Sequence, residues 1–301
     1  MTAERTAEYD AFGPWVFEID DQQTMPPLFV NVYKVSEPPV MLIKIPRKID
    51  RRDAKPDMHL YDYVIAALST QLYILKRVNN SVEERRLPYQ DIVAVKNATA
   101  LLKGQLVLYL LDETLTIEYN TVSEVIMLRL INIIREKYKT QEKVLNLRPL
   151  EYNINTIEHR YALIVDQFKQ RDNRIRLVAY QPPSILTPRK KRLFSKAVSV
   201  LSKKQMMSST AFITNDTELI VLQRDKRVRS VRQPDLSCSM LFLPFSSITK
   251  VSRTQDDTQN VLRVLNIGTD ACTFSFLYGD RGRQMKELYQ ELKNGTYGAF
   301  Y

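Results

Sequence analysis

A pattern of apolar residues around a Leu-Pro-aromatic stretch occurs twice in this sequence. Its first occurrence runs through Ile74–Arg77 and then Leu87–Val95, where Leu-Pro-Tyr is followed by Ile and Val at three-residue intervals. Its second runs through Val221–Arg224 and Leu243–Val251, where Leu-Pro-Phe leads into the same spacing of Ile and Val. Recurrence of this kind is typical of a duplicated structural unit. The sequence therefore predicts two domains of similar fold rather than one large domain.

Short apolar runs between turn residues predict seven strands around each occurrence. In the first repeat they are residues 40–45, 61–68, 72–75, 82–89, 92–102, 105–111 and 115–119. In the second they are residues 175–180, 211–213, 219–222, 240–245, 248–251, 261–267 and 272–277. Apolar residues at helical spacing follow each set, over about 121–138 and 285–292. Each repeat is thus predicted to be a set of strands closed by one C-terminal helix.

This pattern divides the chain into five segments. Aromatic residues beside Gly and Pro indicate that the first segment is irregular, and an apolar stripe from Ile157 to Phe168 predicts a helix in the third. The segments are an N-terminal arm at 1–36, a first domain at 37–139, a helical linker at 140–172, a second domain at 173–294 and a C-terminal tail at 295–301.

The repeated order resembles a known fold family. Seven antiparallel strands in meander order, a Leu-Pro-aromatic stretch in the middle and a single capping helix are similar to the pleckstrin-homology (PH) superfold, in its bacterial or GRAM-like form. The resemblance implies an α+β chain of two PH-like seven-stranded antiparallel barrels, each with a C-terminal capping helix, joined by a helical linker. Because this superfold hosts lipid binding, peptide binding and scaffolding, the resemblance does not determine the function.

The net charge of +10 is concentrated in three short stretches. Residues 44–55 carry six basic and two acidic side chains, residues 186–207 carry seven basic and none acidic, and residues 224–232 carry five basic and one acidic. Their net charges of +4, +7 and +4 leave the rest of the chain at −5. Concentrated positive charge attracts an anionic partner, whereas dispersed charge mainly keeps a protein soluble.

Two of these stretches are predicted to share one rim of the second domain. In an antiparallel meander, the connections after strands one and three emerge at the same end of the sheet. In lipid-binding members of the PH family this rim holds phosphoinositide headgroups, so the resemblance implies an anionic-surface site there. The residues predicted for it are Arg189, Lys190, Lys191, Arg192, Lys196, Lys226, Arg227, Arg229 and Arg232.

The first repeat supplies a weaker candidate for the same role. Its first loop resembles the basic first loop of lipid-binding PH domains through Lys44, Arg47, Lys48, Arg51 and Arg52. Two acidic residues, Asp50 and Asp53, interrupt that cluster. The loop between its third and fourth strands, residues 78–81, carries no charge.

Several alternatives remain open for the basic stretches. Basic loops are often simply solvated, and the stretch at 186–209 could instead contact a neighbouring subunit in a homo-oligomer or larger assembly. The sequence therefore predicts a binding module for anionic lipid headgroups, with an assembly scaffold that docks to an acidic protein surface as the alternative. Nucleic acid is disfavoured because Phe194 is the only aromatic residue among the charges of the second-domain stretches.

No catalytic signature is present, so the sequence predicts a non-enzymatic protein without metal or cofactor. The two histidines, His59 and His159, lack a metal-ligand spacing, and Gly279 and Gly282 form only a fragment of a phosphate-binding loop. The two cysteines, Cys238 and Cys272, are expected to be reduced thiols. No apolar run reaches the length that crosses a bilayer. We therefore expect a cytoplasmic protein that associates peripherally, if at all, with the inner membrane face.

Overall fold

The chain divides into two units by its internal contacts. The structure is a computed structural model and describes residues 6–138, 143–151, 156–186, 205–232, 234–255, 262–279 and 282–297. The first unit comprises residues 1–92, 101–108 and 115–140, and the second comprises 93–100, 109–114 and 141–301. The domain boundaries proposed from the sequence stay a prediction, since this division follows contacts rather than chain order.

The first unit is built on a five-stranded antiparallel sheet in chain order. Its strands are β1 (Phe17–Glu18), β2 (Met41–Pro46), β3 (Tyr61–Ala67), β4 (Gln71–Val78) and β5 (Ser81–Pro88). Two short helices, α1 (Ala7–Ala11) and α2 (Pro27–Val30), precede the long strands. The described part of the N-terminal arm packs on this unit, since Phe12 and Phe29 are buried in the same apolar core as Tyr61 and Tyr73.

Three further strands and a helix complete the first half of the chain. They are β6 (Ile92–Ala100), β7 (Lys103–Leu110), β8 (Thr114–Asn120) and α3 (Glu124–Tyr138). Leu130, Ile131 and Ile134 lie on the buried face of α3, and Asn120 caps the turn before it by accepting a hydrogen bond from the Val122 amide. This is the helix that the sequence predicts at 121–138.

The second unit contains the remaining elements. Its strands are β9 (Arg176–Gln181), β10 (Ser184–Leu186), β11 (Gln205–Met207), β12 (Thr210–Thr214), β13 (Glu218–Gln223), β14 (Val228–Ser230), β15 (Ser237–Pro244), β16 (Lys250–Gln255), β17 (Leu262–Gly268) and β18 (Thr273–Gly279). Its helices are α4 (His159–Arg171) and α5 (Arg283–Tyr297). Strand β15 lies between β13 and β6, so all eight of its residues are buried.

A second sheet and a helix cover the core of this unit. Strands β16, β17 and β18 pair in that order, and α5 packs against β16 and β9. The shared core joins Phe212 of β12 and Leu243 of β15 to Phe276 of β18 and Leu288 of α5. Phe212 and Phe276 meet edge to face, with their ring centroids 5.2 Å apart.

The repeated Leu-Pro-aromatic stretch forms the same corner in both units. Pro88 ends β5 and Pro244 ends β15, and each is followed by one 3-10 turn. The aromatic residue of each turn, Tyr89 or Phe245, is buried, and its backbone carbonyl accepts the amide of Ile92 or Ile248. Proline fits here because it stops strand pairing while its fixed backbone angle suits the turn.

The predicted α+β class is confirmed, with mostly antiparallel sheets and few helices. The predicted closure into barrels is not observed, because none of the sheets formed by the described residues closes on itself. In the second unit, β6 occupies the edge of β15 at which β16 would pair in a closed meander. No helix within the described ranges is long and apolar enough to cross a membrane.

Candidate anionic-surface site

A small three-stranded sheet joins the two basic connections of the second unit. Strand β10 pairs with β11, and β11 pairs in turn with β14, so Met206 lies opposite both Ile185 and Arg229. Beneath it, Leu186 and Met207 are buried against the half-buried Val228 and Leu277. The connection from β9 to β12 and the connection from β13 to β15 are therefore hydrogen-bonded to each other at one edge of the unit.

Four of the predicted site residues lie on or beside this small sheet. Lys226 and Arg227 are exposed just before β14, Arg229 is half-buried within it, and Arg232 is exposed just after it. We call these four residues the basic rim. The side chains of Lys226, Arg227 and Arg232 make no hydrogen bond or ion pair with any residue that the structure describes. The other predicted residues, Arg189, Lys190, Lys191, Arg192 and Lys196, lie outside the described residues.

The neighbouring Arg224 has a structural role that the sequence did not reveal. Its guanidinium donates hydrogen bonds to the backbone carbonyls of Asp235 and Ser237, at 2.9 and 2.7 Å, and forms an ion pair with Glu158. Glu158 also accepts a hydrogen bond from the Ser209 hydroxyl. This network ties the end of β13 to the start of β15 and to the residue that precedes α4, so it holds the base of the basic rim in place.

A cleft of about 400 Å³ opens beside the basic rim. Arg224 and Arg229 line it together with the hydroxyls of Ser208, Ser209 and Tyr180. The Glu158 carboxylate offsets part of this positive charge. Burial raises the pKa of Tyr180, so its hydroxyl stays neutral, and it accepts the Glu158 amide at 3.1 Å. The Ser208 hydroxyl donates to the Lys226 carbonyl, and Ser209 and Arg224 donate to Glu158, so these donors of the cleft are engaged within the protein.

The weaker candidate in the first unit is arranged very differently. Lys44 is buried, with its ammonium 4.9 Å from the centroid of the Tyr61 ring, and it donates to the Thr24 carbonyl at 2.9 Å. Burial is the main cause that lowers the pKa of Lys44. Because this side chain is enclosed by the N-terminal arm, it cannot reach a partner surface.

The remaining basic residues of this cluster are also engaged with the protein. Arg47 donates to the His59 carbonyl at 3.2 Å, and Lys48 pairs with Glu118 at 2.8 Å. Arg51 donates to the Tyr9 carbonyl, and Arg52 pairs with Asp50 at 2.9 Å. Hydrogen bonds from Lys48 and Gln105 lower the pKa of Glu118. The cluster therefore fastens the N-terminal arm and β8 to the loop after β2.

These first-unit contacts could not be predicted from the sequence, because the partners of the basic residues are remote in the chain. Glu118 lies 70 residues from Lys48, and Tyr9 lies 42 residues from Arg51. The strands β10, β11 and β14 were also missed, since each has only three residues and two of them border a long basic stretch.

Comparisons with known proteins add no family to this description. No protein-family model matches the chain, and no curated protein matches its sequence significantly. Within the described part of the chain, no group of three or more His, Cys, Asp or Glu side chains is placed to hold a metal ion.

Proposed function

We propose that this protein is a non-catalytic binding module that associates peripherally with anionic membrane surfaces through the basic rim of its second unit. The observation that carries the proposal is the contrast between the two basic clusters. The five residues of the first unit are buried or paired within the protein, whereas Lys226, Arg227 and Arg232 are exposed without a described partner. Basic side chains without an internal partner, beside the small sheet of β10, β11 and β14, are available to an external anion.

The expected strength follows from these exposed charges. A Lys or Arg near an anionic bilayer contributes about 1 kcal/mol, so three such side chains contribute about 3 kcal/mol, or roughly 100-fold in affinity. Arg227 and Arg232 can add bidentate hydrogen bonds to phosphate oxygens. Because the attraction is electrostatic and exposed, it is screened as salt concentration rises.

We also propose that each unit is a PH-like domain and that the protein is a tandem of two. The shared corner at Tyr89 and Phe245 supports this, as does the helix that follows each set of strands, α3 or α5. Because the sheets are open, the proposed fold is a variant of the PH fold in which β6 adds a strand to the sheet of the second unit.

The first test is co-sedimentation of the protein with vesicles of phosphatidylcholine, with and without phosphatidylserine. Wild-type protein is expected to sediment only with the anionic vesicles. The variant K226Q/R227Q is expected to bind about 30-fold more weakly, because it removes two contributions of about 1 kcal/mol each. Both side chains are exposed and have no described partner, so the fold should be unaffected.

The matched control is K286Q/K293Q, which removes the same charge from exposed positions of α5 in the same unit. Glutamine and lysine have similar helix propensities, so α5 should be retained. Equal weakening in both variants would show that net charge alone drives binding and would overturn the assignment to the basic rim. The residues outside the described ranges are tested separately by reversing Arg189, Lys190, Lys191 and Arg192 to Glu.

Absence of binding to either vesicle would overturn the membrane proposal. The assembly alternative would then be examined by sedimentation velocity, where a scaffold should show oligomers whose population depends on protein concentration.

A further inference from the structure

One end of the first unit exposes a group of apolar side chains. Five of them are largely exposed: Trp15 at 49%, Leu101 at 72%, Leu102 at 62%, Val122 at 51% and Val125 at 73%. We call these five residues the apolar end. Single exposed apolar residues are common, but a group of large ones marks an interaction surface more often.

Backbone hydrogen bonds bring the segments of the apolar end together. The Thr121 amide donates to the Leu102 carbonyl at 3.2 Å, and the Thr121 hydroxyl donates to the Leu101 carbonyl at 2.6 Å. The Ser123 hydroxyl accepts the Val16 amide at 2.8 Å. The β6–β7 turn, the start of α3 and the segment around Trp15 are therefore held side by side within one unit.

Leu101 occupies an unusual backbone conformation at this turn. Its φ is 53°, in the left-handed region that normally favours Gly or Asn. A leucine there costs backbone energy, and its side chain is 72% exposed, so it gains little burial in return. Such strain concentrates at functional positions. The turn therefore exposes a leucine to solvent at a position where an asparagine would have a lower backbone energy.

Positive charge flanks the apolar end. Lys103 is exposed directly after the two leucines. Leu102 and Lys103 line a cleft of about 420 Å³ whose wall also carries Arg47, Lys48 and Arg51. Glu118 neutralises Lys48, whereas Arg47 and Arg51 donate to backbone carbonyls and keep their charge, so with Lys103 and against Asp50 the lining has a net positive charge. Glu124 is the acidic residue between Val122 and Val125, so the positive charge lies on the side of the β6–β7 turn. Apolar side chains with positive charge beside them are complementary to a bilayer with anionic headgroups.

We infer that the apolar end of the first unit inserts into the headgroup layer of an anionic bilayer. The inference rests on the proposed membrane association but concerns a different unit and different residues. Leu101 and Leu102 enter the boundary between headgroups and acyl chains, and Trp15 lies at the interface that tryptophan prefers. Lys103 remains at the level of the phosphates, since its long side chain can keep its charge in the polar layer.

Trp15 makes this inference directly measurable, because it is the only tryptophan in the chain. Its fluorescence emission is expected to shift to shorter wavelength when phosphatidylserine-containing vesicles are added, and to be quenched when the acyl chains of those vesicles are brominated. Phosphatidylcholine vesicles should produce neither change. A wild-type protein that sediments with anionic vesicles while its Trp15 emission and quenching stay unchanged would overturn the inference and leave the proposed function standing.

The variant L101N/L102S tests the contribution of the leucines. Asparagine readily adopts a positive φ, so the turn should be retained, which far-ultraviolet circular dichroism can verify. Removing the two apolar side chains is expected to weaken anionic-vesicle binding by roughly 30-fold and to reduce the quenching of Trp15. The matched control is V30S/V40S, which removes two other exposed apolar side chains of the same unit, 53% and 60% exposed, and should bind as the wild type does.

The two proposals fail in different ways. If L101N/L102S binds like the wild type, the apolar end has no role in membrane binding, whatever K226Q/R227Q does. If K226Q/R227Q is unaffected but L101N/L102S is weakened, the basic rim is wrongly assigned and the apolar end stands. Self-association of the wild type without lipid that L101N/L102S abolishes would identify a second copy as the occupant and overturn the inference.

Discussion

At the scale of single residues, burial and hydrogen bonding give some basic side chains a different role from the one that the sequence predicts. Lys44 belongs to a basic cluster in the sequence, yet it is enclosed by the arm and lies over the Tyr61 ring. Arg224 lies in another basic stretch, yet it serves as a hydrogen-bond anchor for two backbone carbonyls. The sequence locates positive charge well, but partners from distant parts of the chain decide whether the charge is free.

Tyr61 allows a prediction at this scale. It is 1% exposed, and its hydroxyl has no hydrogen-bond partner among the described residues. The variant Y61F is therefore expected to raise the free energy of unfolding by about 1 kcal/mol, since it removes a buried unsatisfied group. The control Y89F should lower it by about 1 kcal/mol, because the Tyr89 hydroxyl donates to the Leu68 carbonyl at 3.1 Å. Urea unfolding measures both, and a loss of stability in Y61F would contradict the prediction.

The same side chain should make stability depend on alkaline pH. Burial raises the pKa of Tyr61 to about 12, whereas the unfolded chain ionises near the ordinary value of 10.0. The folded state thus keeps this proton to a higher pH than the unfolded chain does. Ionisation of Tyr61 therefore leaves the free energy of unfolding unchanged below pH 10.0 and lowers it as the pH rises toward 12. Unfolding measured across this range should show a shallower loss of stability in Y61F than in the wild type. Identical slopes would show that Tyr61 ionises equally in both states.

At the scale of elements, local pattern predicts most strands because apolar runs and turn residues alternate along the chain. The predicted strand at 61–68 is β3 (Tyr61–Ala67), and the predicted loop at 78–81 contains the turn between β4 and β5, where Asn79 has a φ of 58°. Strands β10, β11 and β14 escaped prediction because three residues carry too little periodicity. Those short strands are nevertheless what joins the two connections that carry the basic rim.

The repeated corner supports a prediction for the second unit. Phe245 is fully buried in its core, while Phe274, which meets Tyr109 edge to face, is only partly buried. F245A is expected to lower the free energy of unfolding by about 3–5 kcal/mol, through lost burial and the cavity left behind. F274A should cost distinctly less, because water already reaches part of its ring. Denaturant unfolding followed by circular dichroism compares them, and equal losses would contradict a special role for the corner.

At the scale of the whole molecule, the main departure from the sequence prediction is the partner of β6. This strand follows the first repeated corner, yet its residues 93–100 belong to the second unit, and residues 95–100 pair with β15. Thr99 and Cys238, which face each other in this pairing, are 139 residues apart. No local pattern encodes a pairing over that distance, since the apolar residues of β6 and β15 are equally compatible with pairing to other strands. The sequence therefore predicts the strands well and the closure of the sheets poorly.

The pairing of β6 with β15 predicts how a fragment should behave. A fragment of residues 141–301 lacks β6, so it exposes the edge of β15 along Ser237–Phe242, which β6 otherwise pairs. Unpaired apolar edges promote association between chains, so the fragment should aggregate in size-exclusion chromatography. Joining residues 92–100 to its N-terminus through a flexible linker should restore a monomer. A fragment that is monomeric without them would show that β15 does not need this neighbour.

The separation between Thr99 and Cys238 also determines how long the nascent chain contains β6 without β15. Cys238 follows Thr99 by 139 positions, so at roughly 5–20 residues per second β6 is translated about 7–28 seconds before its partner strand. Throughout that interval its apolar residues have no native neighbour from β15. Because one edge of β6 stays unpaired until β15 is synthesised, conditions that slow translation should lower the yield of native protein.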